Sequence, residues 1–406
     1  AEPLFREVLE KRRRILGDDH PDTLGSVNNM GSLLQGQGRL AEAEAWTREA
    51  MQGRRRILGD DHPQTLTSIN NMGHLLLALD RLAEAEPLLL EALEQRRRVL
   101  GDDHPQTLTS INNMALLLKQ QSRLGEAELL YREVLERSQR VLGGEHANTL
   151  TSINNMAALL RAQGRLTEAE PLYREALERC RRILGEEHPD TLHSLGNMGA
   201  LLRSQGKLTE AELLLREVLD KRRRILGEDH PDTLIAISNL ALLLKEQSRL
   251  GEAEPFYREV LEKQRRIHGD DHPNTLASIN SLGALLWQTG RHGEAVALLS
   301  AAEAASRRVF TDGNADRLAS LLTNLGMAHA GSAAPRAFES AAALLEEAYT
   351  ILTNLRGPTH RSTRNCAQTL VNLHEAWHTA DPGNGHDKRA AEWKAKLEAQ
   401  PKEASK

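Results

Sequence analysis

The chain has 406 residues, a formal net charge of -5, 40% hydrophobic residues and only 3% aromatics, and Gly and Pro recur in it at regular intervals, a profile that excludes a β-rich fold and points to a helical array. Acids and bases alternate within each segment, which excludes the strong one-signed field that nucleic acid or a membrane surface would need. Two cysteines, Cys180 and Cys366, make no disulfide framework, and no apolar run approaches the roughly 18 residues of a membrane span.

The chain begins AEPLFREVLEKRRRILG, the second half of a repeating segment rather than a signal peptide. It reads as a fragment or trimmed sequence, with a cytoplasmic, reducing setting as the expectation. The word LGDDHPQTLTSINNM at 58–72 then returns at 100–114, with variants beginning at Leu16, Leu142, Leu184, Leu226 and His268. Gly17, Gly59, Gly101, Gly143, Gly185, Gly227 and Gly269 are spaced by 42, and His20, His62, His104, His146, His188, His230 and His272 keep the same step. A fixed period of this length means stacked supersecondary units.

Each unit reads as two helices. Leu108, Ile111, Met114, Ala115 and Leu118 recur at helical spacing in the first, and Leu124, Ala127, Tyr131, Val134 and Leu135 in the second. Gly101 suits the chain reversal between units, Pro105 the first position of the next helix, and His104 a place at or beside its N-cap. Arg96, Arg97 and Arg98 fall where cations complement a helix C-terminus, and Asp102 and Asp103 where anions complement an N-terminus. Seven equivalent copies of such a cluster argue for helix ends rather than for a metal or acid/base site.

The column Ala43, Ala85, Ala127, Ala169, Ala211, Ala253 and Ala295 never varies. A close approach of the two helices there would make a larger side chain cost about 1–3 kcal/mol. Gly31, Gly73, Ala115, Ala157, Gly199, Ala241 and Gly283 are the small residues of the first helix. These columns resemble the tetratricopeptide pattern of small and large residues, and the longer unit with LGxxHPxTLxSxNNLAxLL wording resembles the repeats of the kinesin light chain family over about residues 1–310. The resemblance implies an all-α, right-handed superhelical solenoid of helix-turn-helix repeats whose inner groove, lined by the first helices, holds short peptide segments of partner proteins.

Asparagine pairs sit in mid-helix at 28–29, 70–71, 112–113 and 154–155, and Asn197, Asn239 and Asn280 continue the row. Each costs about half a kcal/mol against alanine, so each needs a reason. One reason is a ladder of amides hydrogen-bonding neighbouring helices and fixing the register. The other is that Asn29, Asn71, Asn113, Asn155, Asn197 and Asn239 grip the main chain of an extended peptide, as matching asparagines do in the family it resembles. Six residues after the second asparagine stand Gln35, Leu77, Lys119, Arg161, Arg203, Lys245 and Trp287. The basic run Lys119, Arg161, Arg203 and Lys245 favours acidic linear motifs as partners; an exposed helix end carrying ordinary charge is the plainer alternative.

The triple arginines, such as Arg12 to Arg14, Arg54 to Arg56 and Arg222 to Arg224, read as a solvated outer face with ionic contacts, since nearby glutamates offset them and aromatic interleaving is absent. No nucleic acid, membrane, metal or cofactor is therefore expected. After 310 the period decays. Thr311, Asn314 and Ala315 replace the turn glycine, histidine and proline, LTNLG at 322–326 still reads as a first helix, and Gln368 and Thr369 replace an asparagine pair. The expected organisation is a regular array over 1–310, degenerate capping helices over 311–380, and a final helix and tail over 381–406.

HEAWH at 374–378 matches the short pattern in which two histidines one turn apart bind zinc and a glutamate acts as base, with a third ligand available only from His386, Glu392 or Glu398. Its extended form fails at Asp381 and Asn384, and His374 stands where the repeats place a core leucine. The sequence thus supports a non-catalytic protein-interaction scaffold, with a structural or oligomerising spacer and a zinc hydrolase as the rival readings. The heptad segment by which the light chains join a motor heavy chain is absent from this sequence, and motor transport is not part of the reading.

Overall fold

The computed structural model describes residues 2–311, 314–332 and 335–399; the polar tail expected at the C-terminus lies largely outside them. Among the described residues there are nineteen α-helices and no strand. The chain divides into two compact units, residues 1–243 and 244–406. The first holds α1 (Glu2–Leu16), α2 (Pro21–Gly36), α3 (Leu40–Leu58), α4 (Pro63–Ala78), α5 (Leu82–Leu100), α6 (Pro105–Gln120), α7 (Leu124–Leu142), α8 (Ala147–Ala162), α9 (Leu166–Leu184), α10 (Pro189–Ser204) and α11 (Leu208–Leu226). The boundary falls inside α12 (Pro231–Glu246). The second continues with α13 (Leu250–His268), α14 (Pro273–Gln288), α15 (His292–Val309), α16 (Ala315–Gly331), α17 (Pro335–Arg356), α18 (Arg361–Ala380) and α19 (His386–Glu398).

The 42-residue word starts each first helix in the same way. At α6 the Nδ1 of His104 accepts the amide of Gln106 at 3.2 Å, Pro105 takes the first helical position, and the helix before it stops at Gly101 with φ 85°. His20, His62, His146, His188, His230 and His272 cap in the same way, and so does His360 in the decayed region. An imidazole can accept at Nδ1 only when that nitrogen carries no proton. The histidine column is therefore a row of helix caps.

The turn acids, placed directly before each first helix, also pair with arginines. Asp103 accepts from Arg140 at 2.6 Å and from Arg137 at 3.0 Å, both on α7, the second helix of the hairpin that α6 begins. Arg182 meets Glu145 in the same way at 2.5 Å, and Arg98 meets Asp61. Each pair joins the start of a first helix to the end of the second helix in the same hairpin, so it closes the hairpin's open end.

The arginine triplets are also not one solvated face. The first member is buried at Arg54, Arg96 and Arg222: Arg96 Nη1 donates to the Gln106 carbonyl and to Ser110 Oγ, each at 2.9 Å, and its Nη2 to Thr67 Oγ1 at 3.2 Å. The second reaches the next second helix, Arg97 to Glu133 at 2.8 Å and Arg55 to Glu91 at 2.5 Å. Only the third, Arg98 or Arg56, lies on the open surface. A guanidinium is suited to the buried role because it satisfies several fixed acceptors at once and stays charged.

Inside each hairpin the alanine column has 0% exposure throughout. A Cβ built on Gly73 would lie 2.6 Å from Leu89 Cδ2, and one on Gly283 would lie 2.6 Å from Leu299 Cδ2. Repeats with alanine at this place carry tyrosine sixteen positions later: Ala115 goes with Tyr131, Ala157 with Tyr173 and Ala241 with Tyr257. A γ-branched leucine sets a methyl over the facing helix and leaves no room for a Cβ, whereas a flat ring lies alongside one.

Candidate functional site

Within the first unit, successive first helices approach each other directly, α2 with α4, α4 with α6, α6 with α8 and α8 with α10, while successive second helices are joined by long arginine–glutamate pairs instead. The first helices therefore occupy the tighter, inner side of the curve. That curve is strong: a Cβ on Gly38, in the first turn of the array, would lie 2.7 Å from Pro231 Cγ at the start of α12.

The asparagine pairs divide their labour on this inner side. In the first two pairs the first member is buried, and its Oδ1 receives bonds from the next repeat: Asn70 accepts from Asn113 Nδ2 and from Ser110 Oγ, both at 3.2 Å. Asn28 accepts from Asn71 at 3.2 Å and Ser68 at 3.4 Å, and Asn112 from Asn155 at 3.2 Å. The ladder is present, with the second asparagine as donor. Asn71, Asn113 and Asn155 commit one N–H each and remain part-exposed, with a carbonyl oxygen and a second N–H outside the ladder. Asn29 is exposed, while Asn197 and Asn239 are part-exposed in the same row.

Of the cations, Lys119 and Arg161 are near enough to affect each other. Burial first, and then the Arg161 charge, holds the Lys119 ammonium below its ordinary pKa. Burial raises the Tyr173 hydroxyl, and Arg161 opposes that rise. Arg203 is part-exposed in the same row. Lys245, on the same α12 as Asn239, lies just past the unit boundary, and burial holds its ammonium below its ordinary pKa with Glu246 opposing.

Two residues on the inner stripe escaped the sequence reading. His74, three after Asn71, is solvent-exposed yet desolvated enough to lower its pKa, and its Nδ1 is 3.0 Å from Gln35 Nε2. His193, four before Asn197, is likewise exposed and lowered, by desolvation first, then by Arg222 and Lys119, with Asp232 and Asp190 opposing. Exposure together with desolvation is what a concave wall produces, and the mutual influence of His193 and Lys119 joins helices two repeats apart. Their spacing from the asparagines was the signal that could have found them.

Family models described as Tetratricopeptide repeat match residues 66–140, 110–165, 148–224, 214–264 and 232–308, and a second such model matches 1–22 and 23–64. The chain belongs to the tetratricopeptide repeat family. Among solved structures this tetratricopeptide array is similar to the Podosopora anserina putative kinesin light chain nearly identical TPR-like repeats, at 25% identity and TM-score 0.41 over 50% of this chain and 97% of that one. It is also similar to BtubC (BKLC) from P. vanneervenii, at 22% identity and TM-score 0.46 over 59% of this chain and 92% of that one. A Rap protein complexed with Competence and Sporulation Factor shares the fold, at 12% identity and TM-score 0.61 over 94% of this chain and 100% of its own. No curated protein matches. The matched models describe a repeat fold, not a catalytic one.

The HEAWH segment lies on α18 of the tetratricopeptide chain's second unit. His374 is fully buried, with its ring centroid 6.0 Å from those of Trp377 and His386 in near-parallel planes, and burial lowers its pKa. Glu375 is paired instead with Lys394 at 2.5 Å. Among the described residues no group of three or more His, Cys, Asp or Glu side chains is placed to hold a metal ion. The histidine in the leucine's place is a core residue.

Proposed function

We propose that the first unit docks an extended, acidic segment of a partner protein along its inner side. Asn29, Asn71, Asn113, Asn155, Asn197 and Asn239 bind the segment's main chain, and Lys119, Arg161 and Arg203 meet its carboxylates. The observation that carries this reading is the half-used amide. Asn71, Asn113 and Asn155 each keep one acceptor and one donor beyond the ladder, and that pair of groups is what a passing peptide unit requires. Lys119 and Arg161 already repel each other in a poorly solvated wall, so an incoming carboxylate relieves a strain that water relieves poorly.

An array of acidic peptides probed with the wild-type chain and with Asn113→Ala/Arg161→Glu tests this. Binding by the wild type that the double variant loses supports docking. If the wild type retains no peptide, the ladder alone accounts for the asparagines and the chain is a spacer.

A further inference from the structure

In the first unit the buried arginine recurs at Arg54, Arg96 and Arg222, and each guanidinium bonds a main-chain carbonyl ten residues on: Gln64 at 3.1 Å, Gln106 at 2.9 Å and Asp232 at 2.8 Å. Arg54 and Arg96 also bond the serine fourteen residues on, Ser68 at 2.8 Å and Ser110 at 2.9 Å. Cys180 stands in the same register, forty-two residues before Arg222. Its equivalent acceptors are the Asp190 carbonyl, Ser194 Oγ and, matching Thr67 beside Arg96, Thr151 Oγ1. The thiol is too short to reach all of them; Sγ makes one long hydrogen bond, 3.6 Å, with Ser194 Oγ.

The room that an arginine would fill is open. A cavity of about 220 Å³ lies against Cys180, walled by Leu150, Thr151, Asn154, Asp190 and His193. That is several times the ~30 Å³ of one water in the liquid. Within its wall Asn154 is 5% exposed and its Oδ1 is buried without a partner, although Asn70 Oδ1, two repeats earlier, accepts two bonds. The Asn154 amide N–H groups are already given to the Leu150 carbonyl and Ser194 Oγ. A buried acceptor left unmet costs on the order of 1–3 kcal/mol.

We infer that this cavity is a binding site for a guanidinium group, that of an arginine in the docked segment. The chemistry of the wall selects a cation over an anion. The unmet group of its wall, Asn154 Oδ1, is an acceptor, and the exposed Asp190 carboxylate, also on the wall, supplies a counter-charge. His193 on the wall is held toward its neutral form, by desolvation first and then by the Arg222 and Lys119 charges, with Asp232 and Asp190 opposing. A second cavity, in the other unit, opens beside Leu352, but Arg356 lines it and is paired with Asp316, so a cation is already in place there. The source of the guanidinium rests on the groove reading; the site does not.

The test uses Nα-acetylarginine amide and its neutral isostere Nα-acetylcitrulline amide at millimolar concentration, read by thermal shift, together with acidic peptides carrying arginine or citrulline. In the wild type the arginine amide is expected to raise the melting temperature and the citrulline amide to leave it unchanged. Cys180→Arg, which fills the cavity from within, and Thr151→Phe, which plugs its exposed mouth, should each abolish that difference. The arginine peptide should outbind the citrulline peptide about tenfold, in the wild type only. Equal response to the two amides overturns the inference. So does an arginine preference that survives in Thr151→Phe, whether or not Cys180→Arg folds. A wild type that answers the arginine amide but binds no peptide upholds the cavity and overturns the groove reading alone.

Discussion

Gly73→Ala isolates the close approach on which every hairpin depends. The new Cβ would lie 2.6 Å from Leu89 Cδ2 and 2.7 Å from Leu89 Cγ, and Leu89 has no exposed surface through which to withdraw. Overpacking of this kind costs about 1–3 kcal/mol, while exchanging glycine for alanine in mid-helix returns about 1 kcal/mol, so the net expectation is a loss of about 0–2 kcal/mol. The same exchange at Gly196, also inside a first helix but with nothing within 4 Å of the added carbon, should stabilise by up to about 1 kcal/mol. The informative quantity is the difference between the two sites, about 1–3 kcal/mol, measured by urea denaturation followed by circular dichroism. Gly73→Ala/Leu89→Tyr recreates the pairing of Ala115 with Tyr131 and should recover at least half of the loss, a coupling of about 0.5–3 kcal/mol. Equal effects at Gly73 and Gly196, or strict additivity in the double variant, would refute the reasoning.

Replacing Arg96 by leucine strands the Ser110, Thr67 and Gln106 acceptors, so a loss of about 1.5–3 kcal/mol is expected, whereas Arg98→Ala on the open surface should change stability by no more than about 1 kcal/mol; chemical denaturation compares them directly. Asn70→Ala removes the acceptor of two inter-repeat bonds and should destabilise by about 1–3 kcal/mol. Asn113→Ala, which removes a single donor, should cost about 0.5–1.5 kcal/mol while weakening peptide binding more than Asn70→Ala does, a contrast that titration with a bound peptide reads. His272, stacked on His268 with centroids 4.3 Å apart, is held down to about 4 by burial and by its neighbour's charge. Because the folded pKa lies below the ordinary 6.5, its contribution is complete above about pH 6.5 and is lost as pH falls through 4. Melting curves across that window should show His272→Asn, which caps without titrating, losing less stability than the wild type.

Much of the fold was legible because the period repeats local rules. Glycine, histidine and proline at fixed offsets state where one helix stops and the next starts, and the small columns state which faces meet. The asparagine row was legible as a row, but its division of labour was not. Whether an amide faces a neighbouring helix or open space depends on the rotation of one repeat against the next, which is set by packing rather than by spacing. The arginine triplet misled for the same reason: three identical neighbours project in three directions on a helix, so Arg96 enters the core, Arg97 crosses to Glu133 and Arg98 stays in water. His74 and His193 look like stray polar substitutions until curvature sets them on a poorly solvated wall.

By itself, then, the sequence determined the helical period, the caps and the sites of close approach, since these arise from contacts within about one repeat. Only the tertiary structure decided which polar groups are satisfied and which are left over. Satisfaction is a property of the assembled stack: Asn154 Oδ1 is stranded, and the space against Cys180 is open, because of what the neighbouring repeats do or do not supply.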